Sequence, residues 1–203
     1  GHEVLLIDNF CNSSPRVLER LAKIVGRPVV CEHVDVRDAT ALAGVFARYP
    51  VDAVIHFAAL KAVGESCAQP LRYFENNISG TIGLLQAMQA AGVDKLVFSS
   101  SATVYGQPDA CPISESAPLR VTNPYGRTKL VMEELIGDVC VAHAGFHAVI
   151  LRYFNPVGAH DSGLIGEDPQ FIRIHTERTK GAVTLPLPWG QGFSDHDSLQ
   201  DEQ

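Results

Sequence analysis

The chain has 203 residues, of which 46% are hydrophobic and 19% are charged, a composition typical of a folded globular domain and unlike a disordered or fibrous chain. Acidic residues outnumber basic residues by 23 to 16, and the net charge of −7 argues against nucleic acid or an anionic membrane as the main partner. No apolar run reaches the roughly 18 residues that a membrane-spanning helix requires.

Strands and helices alternate along most of the chain. Short apolar runs that end at polar residues indicate strands, and apolar residues at helical spacing indicate helices. In chain order the sequence predicts a strand over 4–7, a helix over 17–25, a strand over 29–34, a short helix around 42–46, a strand over 53–57, a helix over about 71–91, a strand over 95–98, a helix over 124–144 and a strand over 148–153. This alternation predicts an α/β fold, a doubly wound parallel sheet with helices on both faces. Ligands of such sheets bind beyond the carboxyl ends of the strands.

Five cysteines are spread along the chain, at positions 11, 31, 67, 111 and 140. Their odd number, their wide gaps and the lack of a Cys-x-x-Cys pair argue against a disulfide framework and a zinc site. His143 and His147 have the spacing of two metal ligands, but Gly145 between them is placed to end a helix, and we expect no metal there. Because the thiols are expected to be free and no signal-peptide pattern is seen, we expect a cytoplasmic location.

Asp8 ends the first predicted strand, a position from which a carboxylate commonly binds the ribose hydroxyls of a dinucleotide. The alternative is a capping role, since Asp-Asn pairs favour turns. The glycine-rich turn that normally lies about 20 residues upstream has no room before Asp8. Either the fold does not bind a dinucleotide, or its first strand, glycine loop and first helix have been removed.

Tyr125 and Lys129 are four residues apart on the last predicted helix, so they lie on one face, one turn apart. Asn123 and Pro124 are typical of a helix N-cap and first helical position, which places Tyr125 at the start of that helix. A nearby ammonium group and a helix N-terminus both favour the phenolate and so lower the pKa of a tyrosine from its usual value near 10. Three serines, 99–101, end the preceding strand, and a hydroxyl there can share a proton with Tyr125. These residues predict acid–base chemistry on a hydroxyl or carbonyl group, with a chance match as the alternative.

Two long strings contain these residues, FSSSATVYG over 98–106 and NPYGRTK over 123–129. They resemble the extended short-chain dehydrogenase/reductase superfamily. A narrower resemblance, to the UDP-glucose 4-epimerase family, rests on HFAALKAVGES (56–66), NNISGT (76–81), LRYFNPVGAH (151–160) and GEDP (166–169). The resemblance covers roughly residues 1–169 and implies a Rossmann-like fold that binds NAD.

The resemblance implies a role for each matching residue. Tyr125 is the catalytic base, Ser101 shares its proton, and Lys129 binds the nicotinamide ribose and tunes Tyr125. Ser101 and Tyr125 face the 4-hydroxyl group of the sugar, and Asn155 reaches the phosphates of the substrate. The implied NAD-binding residues are Asp8, Asn9, Phe10, Cys11, Asn12 and Ser13 along the adenosine ribose, Asp35 and Val36 beside the adenine, Phe57, Ala58, Ala59, Leu60, Lys61 and Asn76 along the pyrophosphate and nicotinamide half, and Phe154 near the nicotinamide, together with Ser101, Tyr125 and Lys129.

The implied activity is the interconversion of UDP-glucose and UDP-galactose by transient oxidation at C4 with bound NAD. The helices over about 71–91 and 124–144 correspond to helices that form a homodimer in the family, so we expect a homodimer for the full-length parent. No nucleic acid or membrane partner is expected. Glu133 and Glu134 are expected on a solvated face of the second helix.

Two features depart from the family. No first strand, glycine loop or first helix precedes Val4, and residues 170–203 match no family string. We therefore expect a partial NAD-binding domain over 1–169, an irregular tail over 170–203 and no activity of the chain alone. Two alternatives stay open: a non-catalytic fragment of the family, and another NAD-dependent sugar-nucleotide oxidoreductase or dehydratase. A dehydratase places Asp-Glu where this chain has Ala102 and Thr103, which disfavours that activity.

Overall fold

The computed structural model of the chain describes residues 2–156 and 159–166. By their internal contacts the residues form two compact units. Of the described residues, 2–5, 10–31 and those from 155 onward belong to the first unit, and 6–9 and 32–154 belong to the second. The second unit contains Ser101, Tyr125 and Lys129.

The described residues contain strands and helices in alternation, as the sequence predicts. The strands are β1 (Leu5–Asp8), β2 (Val30–His33), β3 (Val54–His56), β4 (Lys95–Ser101) and β5 (His147–Tyr153). The α-helices are α1 (Arg16–Val25), α2 (Ala39–Arg48), α3 (Val63–Ala68), α4 (Pro70–Phe74), α5 (Gly80–Ala91) and α6 (Pro124–Ala142). A π-helical segment (Glu75–Ser79) joins α4 to α5, and a 3-10 helix (Ala102–Tyr105) follows β4. Within residues 2–156 and 159–166, no helix has both the length and the apolar character needed to cross a membrane.

The described strands form two sheets, and the predicted α/β, Rossmann-like fold is confirmed. β1 and β2 form a two-stranded sheet, and the second sheet has the order β3-β4-β5. In the second sheet all neighbours are parallel, with Val54–His56 beside Leu96–Phe98 and Lys95–Ser101 beside His147–Tyr153. The order β3-β4-β5, with parallel neighbours, corresponds to strands 4-5-6 of a doubly wound sheet with the order 3-2-1-4-5-6.

One face of the β3-β4-β5 sheet forms the hydrophobic core with α2, α5 and α6. Leu96 and Phe98, at alternate positions of β4, are buried on this face. The buried residues of this core are Leu42, Leu84, Leu85, Ala87, Met88, Val93, Leu96, Phe98, Met132, Ile136 and Phe146. On the opposite face of the same sheet Ile55, Val149 and Leu151 are exposed. The packing of the buried face of the sheet places α6 beside β4.

The helix predicted over about 71–91 is interrupted, and α3 precedes it without a clear periodic signal. The predicted helix is interrupted near its start by the π-helical segment Glu75–Ser79, in which each hydrogen-bonded turn contains about one more residue than in an α-helix. Asn77 in this segment is 1% exposed, and its side chain bonds to residues outside the helix. Hydrophobic periodicity does not distinguish a π turn from an α turn, so the pattern predicted a continuous helix.

β4 extends beyond its predicted end and includes all three serines. Ser99, Ser100 and Ser101 stay in the strand because β5 continues beside them, with Ser101 opposite Tyr153. The serines thus alternate between the two faces of the sheet, and Ser100 is buried.

Replacing Ile136 with alanine is expected to lower the free energy of unfolding by about 2–5 kcal/mol, because Ile136 is fully buried in the core and its loss leaves a cavity. Val141 lies on the same helix but is 88% exposed, so Val141→Ala is expected to change the free energy by no more than about 0.5 kcal/mol. Urea unfolding followed by circular dichroism measures both variants. Equal losses in the two would contradict the assigned core.

Candidate active site

The start of α6 is held by side-chain hydrogen bonds. Asn123 caps the helix, its Oδ1 accepting a hydrogen bond from the backbone N of Gly126 at 2.8 Å. The backbone N of Tyr125 donates to Oγ of Ser66 at 3.1 Å, and this Oγ donates to the carbonyl of Val63 at 2.6 Å. Because the first N–H groups of a helix have no partner inside it, these bonds fix the backbone that carries Tyr125. Tyr125 is buried and forms a hydrophobic cluster with Leu60, Val63 and Tyr73, which are also buried.

Lys129 is a buried ammonium group one turn after Tyr125. It is 3% exposed, and its Nζ donates to the carbonyl of Ser99 at 2.7 Å. The same Nζ lies 5.0 Å from the ring centroid of Phe98 and 5.9 Å from that of Tyr125. Burial lowers the pKa of Lys129 to about 8, while the carboxylate of Glu133 raises it. At a pH near 8, the charged and neutral forms of Lys129 are therefore both populated.

Ser101 ends β4 and caps the 3-10 helix that follows. Its Oγ accepts hydrogen bonds from the backbone N of Thr103 at 3.2 Å and from Oγ1 of Thr103 at 3.0 Å. Gly126, next to Tyr125, permits α6 to approach this helix closely, since a Cβ there would lie 3.1 Å from the carbonyl oxygen of Thr103. The segment of Ser101 and the first turn of α6 are therefore neighbours.

Asn77 joins the segment that follows β3 to α6. Its Oδ1 accepts from the backbone N of Leu60 at 2.8 Å, and its Nδ2 donates to the carbonyl of Leu60 at 3.0 Å and to Oγ1 of Thr128 at 3.0 Å. Asn76, the residue predicted for the site, donates to Oδ1 of Asn77 at 3.0 Å. Asn77 thus fixes the backbone of the predicted cofactor loop, 57–61, relative to the helix that carries Lys129.

The carboxyl ends of β1 and β2 bring polar groups together. Nδ2 of Asn9 donates to Oδ2 of Asp35 at 2.9 Å. Arg37 binds the same carboxylate through both Nε, at 2.9 Å, and Nη2, at 2.8 Å. Hydrogen bonds from Arg37 hold the pKa of Asp35 well below its ordinary value, although burial opposes this. Val36, beside Asp35, packs against Gly80, where a Cβ would lie 2.7 Å from its Cγ2.

The remaining predicted residues are divided between the two units. Asp8, Asn9, Asp35, Val36, the loop 57–61, Asn76, Ser101, Tyr125, Lys129 and Phe154 belong to the second unit, whereas Phe10, Cys11, Asn12, Ser13 and Asn155 belong to the first. Phe10 has a positive φ of 52°, which is uncommon for a residue other than glycine. Phe57 and Phe154 are 63% and 62% exposed, so both present apolar surface.

Glu133 contradicts the expectation of a solvated helix face. It is 6% exposed, and its Oε2 pairs with Nη2 of Arg152 at 2.7 Å. Glu134 is exposed, as expected. Adjacent helical residues point in different directions, whereas residues four apart share a face, so Glu133 lies on the face of Lys129. The four-residue spacing between Lys129 and Glu133 is the sequence signal that distinguishes Glu133 from Glu134.

Comparison with known proteins identifies the family of the chain. Residues 1–192 match the NAD dependent epimerase/dehydratase family. The chain belongs to this family. It is 51% identical to UDP-glucose 4-epimerase of Bacillus subtilis (strain 168) over 172 residues, which are 85% of the chain and 51% of that relative. It is 49% identical to UDP-glucose 4-epimerase of Yersinia enterocolitica over 203 aligned residues, with coverage of 97% and 60%. The chain thus spans about half the length of the curated relatives that it matches.

Solved structures of the family have the same fold as this chain. The crystal structure of UDP-glucose 4-epimerase from Bifidobacterium longum, in complex with NAD+ and UDP, is 53% identical with a TM-score of 0.82 and covers 85% of this chain and 52% of its own. The structure from Stenotrophomonas maltophila, with bound NAD and formylated UDP-arabinopyranose, is 52% identical with a TM-score of 0.81 and the same coverage. The predicted family and its NAD dependence are confirmed.

His56 was not among the predicted site residues, although it opens one of the family strings. It is 4% exposed, and its Nε2 lies 3.0 Å from Oγ1 of Thr81. Oγ1 of Thr81 also lies 2.7 Å from the carbonyl oxygen of Asn77 and 2.9 Å from Sδ of Met132, so the imidazole of His56 belongs to a buried polar cluster. Burial, and then the charge of Lys129, lower the pKa of His56 to about 4. The folded protein therefore holds a neutral imidazole.

The stability of the protein is expected to fall as the pH is lowered from about 6.5 to 4. In this window an unfolded His56 binds a proton and the folded one does not, so acid favours the unfolded state, by about 3 kcal/mol at pH 4. His56→Gln removes this contribution and flattens the profile of unfolding free energy against pH. His143→Gln, which alters an exposed histidine, is expected to keep the wild-type profile. Identical slopes in wild type and His56→Gln would contradict this account.

Proposed function

We propose that this chain carries the acid–base centre of a UDP-glucose 4-epimerase, which interconverts UDP-glucose and UDP-galactose with NAD as a tightly held cofactor. The observation that supports this most directly is the placement of Tyr125 on the capped first turn of α6, one turn before the buried ammonium of Lys129. The segment of Ser101 adjoins the same turn. Relatives with this activity are about half identical to the chain over the matched region.

The residues present fit a nicotinamide nucleotide. Lys129 has three N–H groups, and among the described residues only the carbonyl of Ser99 accepts a hydrogen bond from them. A buried ammonium with remaining donors suits a group that offers hydroxyl oxygens, such as the nicotinamide ribose. The loop 57–61, fixed by Asn77, and the edge formed by Asn9 and Asp35 would hold the rest of the nucleotide. When bound, NAD accepts the hydride from C4 of the hexose and returns it.

The residues of the chain handle the proton. Tyr125, as phenolate, accepts the proton of the 4-hydroxyl group, and Ser101 offers a hydroxyl to the same oxygen. Lys129 favours the phenolate by its charge, and the positive end of α6 acts in the same direction. When the sugar presents its other face, Tyr125 returns the proton to the same oxygen, so the configuration at C4 changes without net oxidation.

We also propose a cytoplasmic homodimer that acts in galactose metabolism. The thiols of Cys67, Cys111 and Cys140 form no disulfide, which supports a reducing location. Ile82 on α5 is an apolar side chain that is 39% exposed, which supports contact with a second copy through this helix. A sedimentation measurement would test the dimer.

Replacing Tyr125 with phenylalanine is expected to lower epimerase turnover by about 10²- to 10⁴-fold, because the variant lacks the group that accepts the proton. The activity is measured in a chimaera in which the matched 172 residues of this chain replace their counterparts in the Bacillus subtilis relative. UDP-galactose is supplied, and the formation of UDP-glucose is followed.

The control is Tyr49→Phe. Tyr49 donates to Oε1 of Glu32 at 2.7 Å and lies outside the site, so this variant is expected to retain its turnover. Turnover by Tyr125→Phe within a few-fold of the parent chimaera would refute the role of Tyr125, and an inactive parent chimaera would refute the proposed function itself.

NAD is expected to bind the same chimaera at least about tenfold more tightly than NADP. Asp8 ends β1, where the carboxylate repels a 2′-phosphate, and Arg37, which could otherwise attract that phosphate, is paired with Asp35 and with Glu75. Calorimetric titration of the cofactor-free protein measures both affinities.

Asp8→Asn is expected to narrow the preference for NAD, because it removes the repulsion. Asp52→Asn, at an exposed position before β3, makes the same change of charge and is expected to leave the preference unaltered. Preference for NADP in the parent, or an equal effect of the two variants, would contradict the assignment of Asp8.

A further inference from the structure

Glu133 and Arg152 form an ion pair behind the candidate site. Nε of Arg152 donates to Oε1 and Oε2 of Glu133 at 3.1 and 3.2 Å, and its Nη2 donates to Oε2 at 2.7 Å. The side chains are 24% exposed for Arg152 and 6% exposed for Glu133. Three donor contacts from one guanidinium orient the carboxylate strongly.

The pair connects three elements. Glu133 is on α6, one turn beyond Lys129, and Arg152 is on β5. Oγ of Ser100, on β4, also donates to Oε1 of Glu133. Nη1 of Arg152 donates to the hydroxyl of Tyr105 at 2.9 Å, at the end of the 3-10 helix that Ser101 caps. The same carboxylate therefore ties the helix of Tyr125 and Lys129 to both strands beside it.

Among the described residues, Glu133 is the carboxylate whose charge acts on Lys129. On its own helix lie Tyr125 and Glu133. From β3 comes His56, which is neutral because burial lowers its pKa to about 4. β4 contributes the carbonyl of Ser99 and the ring of Phe98, and β5 contributes Arg152, which contacts Glu133. The charge of Glu133 favours the ammonium form of Lys129 against the effect of burial.

We propose that Glu133 is a positioning residue for Tyr125 and Lys129: its buried carboxylate fixes α6 against β4 and β5 and supplies the negative charge that keeps Lys129 an ammonium ion. The catalytic meaning of this role rests on the proposed function, because the ammonium favours the phenolate of Tyr125. The effect on Lys129 itself is a property of the fold and is measured without substrate.

The test compares Glu133→Gln with wild type by NMR of the full chain labelled with ¹³C-lysine. The chain has five lysines, at 23, 61, 95, 129 and 180, and Lys129→Arg identifies the signal of Lys129. Glu133→Gln keeps the shape of the side chain and removes its charge, so we expect the titration midpoint of Lys129 to fall by about one pH unit. Glu134→Gln makes the same change at the exposed neighbour, and the midpoint is expected to stay within about 0.2 pH units of wild type.

A double variant separates charge from packing. Glu133→Met with Arg152→Met replaces the pair by apolar side chains, a change that proteins commonly tolerate for buried ion pairs. Its Lys129 midpoint is expected to fall even if that single variant does not fold, but by less than in Glu133→Gln, because the double variant also removes the positive charge of Arg152. In the chimaera, the high-pH limb of the turnover profile is expected to move to lower pH in the same variants, since activity is lost as Lys129 loses its charge.

A Lys129 midpoint equal to wild type in either folded variant would overturn the proposal, as would a uniform loss of turnover at every pH without a shift of the limb. If the chimaera lacks epimerase activity while the Lys129 midpoint falls as expected, the proposed function fails and the electrostatic role of Glu133 stands.

Discussion

The burial of the Lys129 ammonium is the constraint on which the candidate site depends. Removing an ion from water costs several kcal/mol even in a relaxed protein interior, so compensating groups have to surround it. β4 provides two of them, the carbonyl of Ser99 and the face of Phe98, and α6 provides Glu133. Because these groups lie on different elements, Lys129 is satisfied only when α6 is packed against β4. The folded arrangement and the protonation state of the site therefore depend on the same contacts.

A single amide completes this arrangement on the other side of α6. Asn77 pairs with both backbone groups of Leu60 and donates to Thr128, which is adjacent to Lys129 in sequence. A fully satisfied buried polar network of this kind favours one geometry strongly, since any displacement leaves polar groups without partners in a medium of low dielectric. Asn77 therefore holds the loop after β3 and the helix that carries Tyr125 and Lys129 in one relative geometry.

Local signals predicted the fold well, and long-range contacts account for what they missed. Asn123 with Pro124, and Gly92 at the end of α5, act through their own backbone neighbours, so their roles are readable from a few residues. Ser66 and Tyr125 are 59 positions apart, and Glu133 and Arg152 are 19 apart. No spacing rule connects such pairs, because they meet only after the strands have paired and α6 has packed. The family strings include Ser66 and Arg152, but they do not show which residues these two side chains contact.

The π-helical segment between α4 and α5 makes the fold sensitive to the number of residues at this point of the chain. Each helical residue adds a rotation of about 100°, so the extra residue of a π turn sets the angular relation between the helices before and after it. Removing one residue from 75–79 would restore regular α-helical hydrogen bonding, yet it would turn α4 by that angle relative to α5. Tyr73, whose hydroxyl accepts from the backbone N of Ala62 and donates to Glu65, would then leave its partners. Removing a residue from this segment is accordingly expected to disturb the fold more than replacing an exposed side chain within it, such as that of Glu75.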